Sequence, residues 1–196
     1  MNPSEINSFR GSLSKIVNIP DDAWKMLEPH LEVKEFTSKS YLVEAGEFAP
    51  GMFYLLKGFV RVFFCDADGN EYTKAFRLSG ELAAPYTSLI LNEKSKLNIQ
   101  SCVHVRSVFI SYALIRKLFD LHPVWNHLGR KLAELIFIER EQREWEFLTL
   151  KAQERYENFL SLYASIKNDI PQYQIASYLG ISPVSLSRII GQNKGS

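Results

Sequence analysis

Cysteine is almost missing from this chain: Cys65 and Cys102 are the only two in 196 residues, and no Cys-x-x-Cys spacing occurs. Lying inside apolar runs, the pair reads as buried free thiols of a reducing cytoplasm, not as a disulfide or a metal site. Long apolar stretches are missing too, none approaching the roughly 18 to 20 residues that span a bilayer. The opening "MNPSEINSFRGSLSK" has neither the basic nor the apolar region of a signal peptide. A soluble, cytoplasmic protein without a membrane partner is expected. No sign of charge dominates, since 23 Lys and Arg stand against 22 Asp and Glu for a net +1. Any electrostatic footprint for an anionic partner must therefore be local. Of the four histidines only His104 lies in a β-like region, so a cupin-like metal site lacks its ligands. No metal, no cofactor and no enzymatic activity are expected.

What is present is enough apolar material, 46% of the residues, for one large domain and a small one. Helical periodicity runs through Phe9, Leu13 and Ile16, and Pro20 with two aspartates starts a second helix. The texture then turns to β: short Phe, Val, Tyr and Leu runs separated by Ala45-Gly46, Pro50-Gly51, Lys57-Gly58 and Ser79-Gly80. "FVRVFFCDADGNEYTKAF" predicts a hairpin, and a further β zone covers Leu97 to Ile110. Such spacing indicates an antiparallel sandwich or barrel. From Tyr112 to Tyr163 the chain reads as helical. Leu121, Trp125, Leu128, Leu132 and Leu135 share one stripe of a long helix, but Glu139 and Gln142 follow, so the seam covers about two heptads. Periodicity alone leaves two readings open: a dimer seam, or a helix lying on its own β-domain. "IEREQREWEFLTLKAQER" reads as a solvated helix face with Trp145, Phe147 and Leu148 packing elsewhere.

The segment "QYQIASYLGISPVSLSRII" carries the most information. Ile175, Ala176 and Leu179 mark a short apolar helix face, and Gly180 supplies a left-handed end. Ser182 then caps a second helix with Pro183 at its first position, and Leu186, Ile189 and Ile190 form its inner face. An alanine, a glycine four residues on and an aliphatic residue six further is helix-turn-helix spacing. Val184, Ser185, Ser187 and Arg188 are left on the outer face, with Pro183 at the tip, to meet a DNA major groove. Arg188 suits guanine, Val184 a thymine methyl, and Ser182 with Ser185 a phosphate. Lys151, Arg155, Lys167, Arg188 and Lys194 against Glu154, Glu157 and Asp169 give this segment five minus three, +2. So modest a charge favours two copies acting together. Little or no sequence remains beyond Ile190 for a wing.

The order of parts resembles the Crp/Fnr family of bacterial transcription regulators. "VEAGEFAPGMFYLLKGFVRVFFCDADGNEYTKAFRLSGELAA" resembles a cyclic-nucleotide-binding-type β-roll, and "IASYLGISPVSLSRI" resembles the ending of members from the Bacteroidetes group. The resemblance implies an α+β fold: an antiparallel, jelly-roll-like β-roll with flanking helices as sensor (1–119), a long dimerisation helix (120–148) and a (winged) helix-turn-helix domain (149–196). It implies Trp125, Leu128, Leu132 and Leu135 as the dimer seam. Implied partners are double-stranded DNA, a second copy, RNA polymerase as a further candidate, and an effector of unknown identity. Nucleotide-binding members hold the ribose with a glutamate and the cyclic phosphate with Arg-Ser or Arg-Thr. Here Pro85 stands at the glutamate position and Ser95-Lys96 at the arginine pair, while Gly80-Glu81 falls four residues early, at a structural turn. Ser95 lacks the guanidinium a buried phosphodiester needs, and Lys96 is expected to start a strand and face solvent, so canonical cyclic AMP binding is not expected. Two dispersed cysteines cannot hold the iron–sulfur centre of the oxygen-sensing branch; a haem ligand among His30, His104, His122 and His127 stays open. Relatives place charged residues where Pro183 and Val184 stand, so base preference should differ. The alternative reading is a ligand-binding or protein-interaction module that kept the fold without binding DNA.

Overall fold

The computed structural model describes residues 2–193. In chain order it contains α1 (Pro3–Ser14), α2 (Asp21–Leu27), a 3-10 turn (Glu28–His30), β1 (Glu32–Phe36), β2 (Tyr41–Val43) and β3 (Gly51–Lys57). There follow β4 (Val60–Cys65), β5 (Glu71–Arg77), β6 (Leu82–Ala83), α3 (Tyr86–Leu91), β7 (Leu97–Ser101) and β8 (Val105–Ser111). The helices α4 (Tyr112–Leu121), α5 (Pro123–Thr149), α6 (Ala152–Leu162), α7 (Gln172–Leu179) and α8 (Pro183–Asn193) complete it. The strands form two four-stranded sheets, ordered β1-β8-β3-β6 and β2-β7-β4-β5, an α+β architecture with flanking helices. Among the described residues no strand follows β8.

The chain divides into two compact units, residues 1–62 with 76–135, and residues 63–75 with 136–196. The expected boundary at 119/120 falls within α4. In the first unit α1 is started by a capping box in which Asn2 and Glu5 satisfy each other's backbone N–H groups. Its buried Phe9 packs on Tyr54 and Trp24 at ring-centroid distances of 4.8 and 6.0 Å. The core continues through Leu13, Leu27, Val108, Ile110 and Leu118 to Trp125 and Leu128 of α5. Glu5 also grips Arg106 of β8, with Nε donating to Oε1 at 2.6 Å and Nη2 to Oε2 at 3.2 Å, which holds the Glu5 carboxyl down at about 2.

Two sequence expectations change here. The stripe from Leu121 to Leu135 is not one helix, because Pro123 disfavours helical backbone at His122, and His122 is extended with φ −152°. Cys65 is exposed rather than buried, while Cys102 is half-buried and burial pushes its thiol up to about 12.

The second unit contains the tip of the β4–β5 hairpin and the C-terminal helices. In the hairpin turn, Asp66 accepts from the backbone N–H groups of Asp68 and Asn70 at 3.0 and 2.9 Å, and from the Asn70 amide and Tyr72 hydroxyl at 2.9 Å each. Those donors, Asn70 foremost, hold its carboxyl below the usual range. The helical core gathers Phe159, Tyr163 and Tyr178 with centroids 5.2 to 5.5 Å apart. Ile175, Ala176, Leu179 and Leu186 complete it.

Candidate nucleic-acid interface and effector cassette

The turn between α7 and α8 is built from the residues its sequence suggests. Gly180 adopts φ +67°, ψ +34°, and the N–H groups of Gly180 and Ile181 return to the carbonyls of Ser177 and Ala176 at 3.2 and 3.1 Å. This is the Schellman pattern, which satisfies carbonyls that the helix end would otherwise leave unpaired. Two residues later the Ser182 hydroxyl accepts the Ser185 N–H at 3.1 Å and shares a 2.9 Å bond with the Ser185 hydroxyl, capping α8. Leu186 is fully buried, and Ile189 and Ile190 are half-buried.

Pro183, Val184, Ser187 and Arg188 are exposed. Val184 presents 62% of its surface to solvent. Ser185 is half-buried, its hydroxyl engaged in the cap. Arg188 has no hydrogen bond or ion pair among the described residues, which leaves its guanidinium available; Lys194 lies outside them.

Two arginines that the sequence reading missed in this role brace α7 instead. Arg143 donates to the Tyr178 carbonyl and lies 3.7 Å from the centroid of the Tyr178 ring. Arg155 donates to Leu179 O at 3.1 Å and Leu150 O at 2.7 Å. Cations at a helix C-terminus answer the unpaired carbonyls and the macrodipole. Their long sequence separation from α7 hides this role in the chain. Ser177, on the outer side of α7, accepts the Thr73 N–H at 2.9 Å and donates to Glu71 O at 2.8 Å, closing onto the β5 backbone.

The effector cassette is occupied by local structure. Pro85 is the N-cap residue of α3 and brings no carboxylate. Ser95 is buried, and its hydroxyl donates to Leu97 O at 2.7 Å and accepts Leu97 N–H at 3.2 Å. Lys96 is exposed immediately before β7. Gly80 turns with φ +92°, and the Glu81 carboxylate accepts the Leu78 N–H at 3.0 Å.

On α5, Trp125 and Leu128 are buried in their own chain's core, with Leu132 packed against it. Trp125 and Leu128 are the buried pair, while Leu132 keeps part of its surface exposed. Leu135 is exposed, and so are Phe137, Ile138, Trp145 and Leu148 at 63, 61, 51 and 78%. The expected packing of Trp145 and Leu148 elsewhere in the chain is therefore not found. Phe147 is partly exposed but close to Gly180, where an added Cβ would meet its Cε1 at 2.7 Å.

Two sheets with flanking helices, followed by a glycine-turned helix pair, make a β-roll fold with a helix-turn-helix. Residues 33–122 match the family of the cyclic nucleotide-binding domain; over about half its length the chain is similar to Crp-type regulators, and it has the fold of solved Crp/Fnr-family structures. The cAMP-activated global transcriptional regulator CRP of Pasteurella multocida is 32% identical over 108 residues, 53% of this chain and 50% of that protein. Its Salmonella typhimurium counterpart is 23% identical over 114 residues, 58% and 54% of the two chains. The matched region thus spans about half the length of these curated relatives. Among solved structures, a Crp/Fnr-family protein from Eubacterium rectale superposes with a TM-score of 0.74 at 12% identity, covering 90% of this chain and 84% of that one. FixK2 from Bradyrhizobium japonicum gives 0.69 at 17%, covering 83% of each. The c-di-GMP responsive regulator CLP of Xanthomonas campestris gives 0.69 at 14%, covering 90% and 92%. No helix among the described residues is long and apolar enough to cross a membrane.

Proposed function

We propose that this protein is a homodimeric, sequence-specific DNA-binding transcription regulator whose β-roll does not bind cyclic AMP in the usual way. The observation that carries the reading is α8: capped by Ser182, anchored by Leu186, and presenting Val184, Ser187 and an uncommitted Arg188 outward. Such a helix fits a major groove with its N-terminal half against the bases. Ser182 and the first turn of α8 would hold a backbone phosphate. The sensor proposal rests on Ser95, whose hydroxyl is already paired within its own turn, and on Pro85, which has no group for a ribose. Related proteins are described as cAMP-activated in one case and c-di-GMP responsive in another, so the fold serves more than one effector.

The test is fluorescence anisotropy on the duplex upstream of the protein's own gene and on a random duplex. Arg188→Ala should weaken specific binding by about 1 to 3 kcal/mol and relax one base position. Equal binding of both duplexes by parent and variant would remove α8 from the reading role. Commitment of Arg155 to the Leu179 and Leu150 carbonyls leaves fewer cationic donors for DNA and favours the alternative, an interaction module that does not bind DNA. A steep salt dependence of duplex binding would count against that alternative.

A further inference from the structure

The first unit contains a cleft enclosing about 650 Å³ of space outside the protein atoms, its open mouth included. Its walls come from α1, α2, β3, β6, β8 and α3 through α5, and none of the lining residues is charged. Leu82, Tyr86, Tyr112, Phe119, Trp125 and Gly129 give it its aromatic and open sides. Ser95 and Lys96 take no part in it, so it is not the cyclic-nucleotide cassette. Gly129 keeps the α5 wall thin: a Cβ there would stand 3.0 Å from the Phe119 ring.

One polar group in this lining is out of place. Trp125 is only 4% exposed, and its indole N–H has no hydrogen-bond partner among the described residues. An indole nitrogen only donates, and a buried donor without an acceptor is unfavourable. We infer that the cleft is a binding site for a small, neutral, mostly apolar molecule carrying one hydrogen-bond acceptor, which the Trp125 N–H engages. An anion is disfavoured there because no cation lines the walls to offset its desolvation. The concavity and sparse polar lining are those of small-molecule sites. The inference does not rest on DNA binding, since the cleft can take a ligand in either functional reading.

The test uses the full chain and 1H–15N NMR, in which the three tryptophans give three indole cross-peaks. Acetophenone, neutral with one carbonyl, is titrated against ethylbenzene, which lacks the acceptor, and benzoate, which adds a charge. One indole peak should move downfield with acetophenone, and that peak should be the one missing from Trp125→Phe. Ethylbenzene should bind roughly tenfold more weakly than acetophenone to the wild type and equally well to both proteins. Benzoate should leave the peak unmoved. The inference is overturned if acetophenone moves no indole peak up to its solubility. It is also overturned if benzoate binds as well, or if the Trp125 peak follows protein concentration instead of ligand, as it would were a second copy covering the cleft. The wild-type titration decides the matter even if the variant folds poorly.

Discussion

Gly180 combines two constraints at one Cα. Its backbone is left-handed, a conformation costing an L-residue about 1 to 2 kcal/mol, and a Cβ would press on the Phe147 ring at 2.7 Å. Gly180→Ala should therefore destabilise the second unit by about 2 kcal/mol, read as a lower urea midpoint. A loss of only a few tenths would mean that the turn is not left-handed in solution. This residue, with Ala176, Ser182 and Leu186, was readable from the sequence because cap, turn and core contact all fall within eleven residues. Arg143 and Arg155 were not readable in their bracing role. Nothing near them in the chain shows which carbonyls they meet, and by composition they count simply as charge. Cys65 misleads for a related reason: an apolar neighbourhood in sequence says nothing of which strand face a side chain takes.

At the scale of elements, periodicity identified strands and helices well where one face is apolar and the other polar. The hairpin of β4 and β5 follows its Asp-Gly turn, and α7 and α8 follow their caps. The face that α5 presents was harder, because a stripe of leucines records that the residues share a side and leaves open what that side meets. Trp125 and Leu128 meet their own chain's core. The docking of α1 was likewise hidden, since Glu5 and Arg106 are about a hundred residues apart. That contact carries a pH signature. The Glu5 carboxyl is held at about 2 against an ordinary 4.5, first by the Arg106 hydrogen bond and then by the Asn2 N–H. A depressed carboxyl stabilises the fold above its unfolded value and loses that contribution as pH falls through the folded one. The stability gap between wild type and Glu5→Gln should be widest at neutral pH, shrink below about pH 4.5 and nearly vanish near pH 2. Urea midpoints at several pH values would show this, and a gap constant with pH would place the role of Glu5 in packing.

For the whole molecule, the small charge and the exposed α5 residues belong to one argument. The segment 151–196 carries a formal +2, and Arg155 is held by the Leu179 and Leu150 carbonyls. One copy would thus displace few counterions from DNA and bind weakly. Two copies double the phosphate contacts and add a second half-site, provided something holds them together. Ile138 and Trp145 lie one heptad apart on α5 with Leu148 three residues on, all exposed, and clustered apolar groups of this kind mark association surfaces. Ile138→Glu should make the protein sediment as a monomer at micromolar concentration without unfolding it. On the duplex upstream of its gene, that monomer should bind ~100-fold more weakly, with about half the slope of log affinity against log salt. The slope separates two causes of weak binding, because a variant that merely misplaced α8 within an intact dimer would keep most of its phosphate contacts. A monomer that bound with the parent's affinity and slope would show that one copy suffices. A variant that stayed dimeric would place the seam on another face of the helix.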